Sequence, residues 1–207
     1  MNSKTERFQL QGPAGAIEVL RDAPEGPPRG FAVIAHPHPL FGGTMDNKVV
    51  QTLARAFVQS GWTALRFNFR GVGASAGQHD QGRGETDDFL ALVADQAPEG
   101  ALALAGFSFG SFVASRALQS LWPDRSIEKV VLVGTAASRF DVATLPPESH
   151  DRTLVIHGEQ DDTVPLQSVL DWARPQSLPV TVIPGGEHFF HGQLPLLKNL
   201  VVRHLRS

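Results

Sequence analysis

The chain has 207 residues, 42% of them hydrophobic and 19% charged, which is enough for one well-buried core and is read as a single domain spanning 1–207. Its net charge of −3 offers no basic field for nucleic acid, and the absence of cysteine excludes disulfides, thiolate zinc sites and a cysteine nucleophile. The polar start, Met1 to Arg7, has no signal-peptide core and no run reaches membrane-spanning length, so a cytoplasmic protein without a membrane or nucleic-acid partner is expected.

Phe8–Leu10 and Ala16–Leu20 flank Gly12-Pro13-Ala14-Gly15 and read as an antiparallel hairpin. After a Pro/Gly-rich loop, Phe31–Ala35 is a continuous apolar strand, the pattern of a strand covered on both faces. From Asn47 a helix begins, with Val49, Leu53 and Phe57 on one face, and Gly61 ends it. Trp62–Phe69 is the next strand, and the glycine-rich stretch 71–84 is expected to stay a loop. Thr86 to Ala97 is a helix closed by Pro98. Strand Ala101–Ala105 leads into a helix over Phe109–Leu121. Strands Lys129–Val133 and Thr153–Ile156, a short helix Leu166–Ala173, strand Val180–Ile183 and a last helix from near Pro195 complete the chain. The alternation from residue 31 onward predicts an α/β fold: a mostly parallel eight-stranded sheet, its first two strands antiparallel, with helices on both faces.

Gly106-Phe107-Ser108-Phe109-Gly110 lies on the turn between a strand and a helix. That is the layout of a nucleophile elbow, in which a strained turn lifts a serine hydroxyl out of the sheet and flanking glycines let strand and helix cross closely. A serine hydroxyl needs a base, and the base needs a third group to orient it. In a parallel sheet such groups lie beyond the carboxyl ends of the strands. After Thr153–Ile156 comes His157-Gly158-Glu159-Gln160-Asp161-Asp162-Thr163-Val164-Pro165, and after Val180–Ile183 comes Gly185-Gly186-Glu187-His188-Phe189. A carboxylate and a histidine therefore stand at the required strand ends.

Together with His36–Gly43 and Asn68–Ser75, these segments resemble the α/β-hydrolase superfamily, in its compact bacterial dienelactone-hydrolase-like and esterase-like branch. The match runs through nearly the whole chain. Dienelactone hydrolases proper use cysteine, so the resemblance implies a branch with a serine nucleophile. It implies Ser108 as nucleophile, His188 as base and Asp161, three residues after Gly158, as acid. Asp162 is read as its solvated or helix-capping neighbour. The oxyanion hole would use the backbone N–H of Phe109 and one from the loop after Ala35. Pro37 and Pro39 have none, which leaves His38 or Leu40, with the family's H-G-x-P pattern leaning toward His38.

His36 and His38 could chelate as H-x-H, but no carboxylate stands near them, so no metal is expected. Gly71-Val72-Gly73-Ala74-Ser75-Ala76 fits a dinucleotide fingerprint without the helix that must follow at once, so no cofactor is expected either. His157 is expected to close its strand, Arg70 to hold the adjacent loop, and His150 and His191 to lie at the surface.

About twenty residues separate Val133 from Thr153, too few for the helical cap many such hydrolases insert there, so no lid is expected. Leu40, Phe41, Phe109, Phe189 and Phe190 are candidates to line an apolar acyl pocket, Phe41 and Phe189 foremost. The expected activity is hydrolysis of small or short-chain carboxylic esters. The same three residues would serve an acylpeptide-type peptidase or a thioesterase, and a non-catalytic ligand-binding module is the reading from another class.

Overall fold

The computed structural model describes residues 5–207; the first four of the polar N-terminal residues lie outside them. Strands β1 (Thr5–Gly12), β2 (Gly15–Asp22), β3 (Gly30–Ala35), β4 (Thr63–Phe67), β5 (Ala101–Phe107), β6 (Ile127–Val133), β7 (Thr153–Gly158) and β8 (Val180–Ile183) form one sheet in the order β1-β2-β4-β3-β5-β6-β7-β8. β1 and β2 pair antiparallel, as do β2 and β4, and every pair from β4 through β3 to β8 is parallel.

Period-two alternation divides the core. Leu102 and Leu104 of β5 face one cluster while Ala103, Ala105 and Phe107 face the other. Helices α2 (Arg83–Gln96), α3 (Phe109–Leu121) and α4 (Leu166–Ala173) cover the first face through Phe89, Val113 and Val169. Helices α1 (Lys48–Gln59) and α5 (Leu194–Arg206) cover the second through Leu53, Phe57 and Val201. Among the described residues no helix is long and apolar enough to cross a membrane.

The chain winds from β3 through α1 to β4 on one side, then crosses through α2 to β5 on the other. β3 and β5 are therefore neighbours whose continuations part, and Ala35 pairs with Gly106 at their carboxyl ends. Such a switch point opens a crevice at the strand ends.

Several strands differ by one to three residues at their ends from the bounds read in the sequence, and the start of one helix differs as well. α2 begins at Arg83, not Thr86, and takes Gly84 into its first turn. Buried Glu85 reaches back to accept from the N–H groups of Gly82 and Asp80, which supplies the missing cap. Position 84 is a glycine because Arg70 lies against it, where a Cβ would come within 1.7 Å of the guanidinium. Arg70 forks onto Asp88 of α2 at 2.8 and 2.9 Å and so ties the loop to that helix.

Candidate active site

Ser108 joins β5 to α3 with φ 57° and ψ −117°, a conformation that a residue with a Cβ adopts only under constraint. The constraint is visible. Ser108 N–H donates to the Val133 carbonyl at 2.8 Å, and the buried Ser111 hydroxyl donates to the Gly106 carbonyl at 2.7 Å and accepts from Val133 N–H. Gly106 and Gly110 let α3 leave at once. A Cβ on Gly110 would lie 2.2 Å from the Ala35 carbonyl oxygen, and one on Gly106 would lie 2.2 Å from that of Gly110. Gly110→Ala is therefore expected to push α3 away from the end of β3, at a cost of about 1–3 kcal/mol for such overpacking. The loss should appear in thermal unfolding as several degrees; an unchanged Tm would mean that β3 and α3 do not cross in close contact at Gly110.

His188 and Asp161 arrive from β8 and β7. His188 Nε2 lies 3.1 Å from Ser108 Oγ, and its Nδ1 lies 2.7 Å from Asp161 Oδ2. All three residues are buried. The carboxylate accepts only, so His188 carries its proton on Nδ1 and leaves Nε2 free to accept from the serine. Asp161 Oδ1 takes the N–H groups of Thr163 and Val164 at 3.0 and 2.7 Å, which fixes the carboxylate plane. Burial pushes the Asp161 carboxyl up, but its hydrogen bonds to His188 and Val164 and the neighbouring imidazoles outweigh this and hold it below the ordinary carboxylate value. Asp162 is exposed and accepts only from the Thr163 hydroxyl; the N-cap of α4 is Pro165, so Asp162 does not cap that helix.

The loop after β3 forms the facing wall. Phe109 holds the first position of α3, where an N–H has no intrahelical acceptor. Of the two candidate donors in the facing loop, Leu40 N–H is taken by the His38 ring, whose Nδ1 accepts it at 3.2 Å and so caps the 3₁₀ turn Pro39–Phe41. The backbone N–H of His38 donates to no backbone or side-chain group among the described residues. His36 is buried and spent: its Nε2 accepts from Phe69 N–H at 3.0 Å, and burial lowers its pKa to about 3. Its Nδ1 donates to the Pro37 carbonyl at 2.6 Å, so both ring nitrogens of His36 are engaged. His157 is likewise buried, with Nε2 on the Val164 carbonyl at 2.8 Å and 3.4 Å from Asp161. His191 is exposed, whereas His150 is half-buried against the Leu145 carbonyl, a departure from the surface placement expected.

A cavity of about 360 Å³ opens over Ser108. Phe41 and Phe189 line it, and both remain accessible, at 75% and 43%. Phe109 forms part of its floor. Two candidates are corrected. Leu40 is 70% exposed but stands outside the cavity, because the 3₁₀ turn points it away. Phe190 is fully buried in the second core cluster, since a left-handed backbone at φ 53° turns its ring opposite to that of Phe189. The sequence reading missed Ala136, Arg139 and Phe140, which form a further wall. They come from the short connection after β6, where Phe140 stacks on Phe112 at 4.9 Å and meets Phe109 edge-on at 5.1 Å. The signal was present as Phe140, the one phenylalanine in that connection. A larger cavity of about 510 Å³ lies elsewhere, walled by Asp22, Asp46, Arg55 and Arg66, without a nucleophile; Arg66 is bound there to Asp22 and to the Met45 carbonyl. The glycine-rich loop after β4 is filled by its own strand neighbours, with Glu18 accepting from Asn68 and from Ala74 N–H, and no helix opens at Gly71 or Gly73.

The family model for the alpha/beta hydrolase fold matches residues 38–152. The chain is 36% identical to a lidless α/β serine hydrolase of Xanthomonas campestris, with a TM-score of 0.87 over 100% of this chain and 95% of that one. It is 39% identical to an α/β serine hydrolase homologue of Coxiella burnetii, with a TM-score of 0.82 over 97% of each chain. An uncharacterized protein of Rickettsia prowazekii is 31% identical over 198 residues, covering 89% of this chain and 82% of that protein.

Proposed function

Because the chain belongs to the alpha/beta hydrolase fold family, a fold here without a lid, we propose that it is a serine hydrolase of small carboxylic esters acting through an acyl-enzyme. The observation that carries this reading is the unbroken line from Ser108 Oγ to His188 at 3.1 Å and on to Asp161 at 2.7 Å, beneath an open cavity.

Ser108 Oγ attacks the ester carbonyl carbon while its proton passes to His188 Nε2. Asp161 holds the imidazole in the accepting tautomer and stabilises the imidazolium that forms. The N–H groups of Phe109 and His38 receive the oxyanion, and such donors act on charge that exists only beyond the ground state. Collapse breaks the bond to the alcohol oxygen, which leaves with the proton from His188. Water then gives its proton to His188 and its oxygen to the acyl carbon, and the carboxylic acid departs as Ser108 regains its proton.

The cavity volume lies at the small end of ligand sites, and its apolar rings suit a short acyl chain. The test is labelling by a fluorophosphonate together with kcat/KM for nitrophenyl esters of increasing chain length, against aminoacyl anilides and acyl thioesters. Labelling at Ser108 and a preference for short esters are expected. An unlabelled protein without ester turnover would return the fold to a binding role, and faster cleavage of anilides or thioesters would move the substrate class.

With no lid there is no closed-to-open change for an oil–water interface to trigger. Rate should saturate with monomeric substrate, and methylenes beyond the reach of Phe41 and Phe189 should gain none of the roughly 0.8 kcal/mol that burial would give each. A jump in rate at the solubility limit would reveal a mobile cover.

A further inference from the structure

The cavity above Ser108 holds one strongly basic side chain and no carboxylate. Arg139 lines it, and none of the other lining residues is an aspartate or glutamate. Asp161 is screened behind His188, and Glu187 faces His191 at 3.2 Å. Arg139 is exposed and takes part in no ion pair among the described residues, whereas Arg66, Arg70, Arg83 and Arg174 each have an acidic partner. Its charge is felt at His38, whose pKa is lowered first by burial and then by His79, with Glu85 opposing and Arg139 adding the smallest contribution.

The backbone that carries Arg139 is held in place. Arg139 N–H and Phe140 N–H both donate to the Ala136 carbonyl, at 3.2 and 3.1 Å, and Phe140 is locked between Phe112 and Phe109. The turn that carries Arg139 is thus pinned to the helix that starts at the elbow. An exposed arginine without an ion-pair partner, carried by a held turn at the wall of a cavity that no aspartate or glutamate lines, suits a planar anion with two oxygens.

We infer that the cavity takes esters that carry an anionic group, a carboxylate above all, and that Arg139 binds it. The inference rests on the ester hydrolase reading and narrows its substrate class. Arg139 is then a specificity residue: it holds the charged end of the substrate while the ester carbonyl lies at Ser108.

The experiment compares kcat/KM for matched pairs of chromogenic esters. One pair places the charge on the acyl side, a nitrophenyl hemiglutarate against its methyl-capped diester. The other places it on the alcohol side, acetate esters of a nitrophenol with and without a carboxylate. At least one pair should favour the anion by about tenfold, the scale of one charge-assisted hydrogen bond. In Arg139→Gln that ratio should fall to about one, in Arg139→Glu below one, and Arg139→Lys should keep part of it. Because the readout is a ratio within each variant, a loss of folded protein cancels. The preference should also shrink as salt is raised, since the guanidinium is exposed. Equal rates for charged and neutral esters in the unaltered protein, or a ratio that survives Arg139→Gln, would overturn the inference while leaving ester hydrolysis intact. Failure to cleave any ester, charged or neutral, or to label Ser108 would instead sink the reading on which it rests.

Discussion

Ser108→Ala is expected to lower kcat for ester hydrolysis by on the order of 10⁶, the scale seen when the nucleophile of a serine hydrolase is removed. The oxygen that would attack the carbonyl is gone, and His188 Nε2, 3.1 Å from it, has nothing to deprotonate. The fold should survive. The hydroxyl is bound only to His188, while the turn is held by the Ser108 N–H to Val133 and by Ser111. The backbone offers a second measurement. At φ 57° both serine and alanine are strained, but glycine is not. Ser108→Gly should therefore be as inactive as Ser108→Ala yet melt at a higher temperature, because relief of roughly 1–3 kcal/mol of strain exceeds the entropy a glycine adds to the unfolded chain. A Ser108→Ala protein that keeps a tenth of the activity would remove Ser108 from the mechanism. A Ser108→Gly protein that melts lower would mean the elbow stores little strain.

The sheet was readable because its strands are buried on both faces and so appear as uninterrupted apolar runs, such as Phe31–Ala35 and Ala101–Ala105. The elbow was readable because its glycines answer a steric demand that only glycine meets. What stayed hidden depends on contacts distant in sequence. Gly84 looks like a loop residue until Arg70 is seen filling the space a side chain would need. Phe189 and Phe190 are indistinguishable by type, and only the left-handed backbone at Phe190 sends one ring to the cavity and the other to the core. Arg139 and Phe140 sit in a connection read only for its length. It is too short for a lid, yet long enough to fold back as a wall. The choice between His38 and Leu40 was likewise invisible, because it turns on a side-chain cap that consumes one N–H and spares the other.

Asp161→Asn is expected to lower kcat by roughly 10⁴, as for other triads that lose their acid. The hydrogen bonds of the loop explain why the substitution should be severe. Asp161 Oδ1 accepts from Thr163 N–H and Val164 N–H, so an asparagine must keep its carbonyl oxygen on that side. Its amide nitrogen then faces His188 Nδ1, 2.7 Å away in the native pair, and donates where the carboxylate had accepted. His188 is driven to the tautomer with its proton on Nε2, which cannot take the proton of Ser108. The negative charge that would stabilise the imidazolium is lost as well, and native Asp161, held below the ordinary carboxylate value, supplies it fully at neutral pH. Asp162→Asn alters an exposed carboxylate bonded only to the Thr163 hydroxyl, and should change kcat by no more than about twofold, the range of a surface substitution. Single-turnover acylation rates for the two variants, measured side by side with the unaltered protein, separate the assignments. If Asp162→Asn proved the crippling change, the loop after β7 would have to be wound one residue further in solution, with Thr163 and Val164 no longer bracing Asp161.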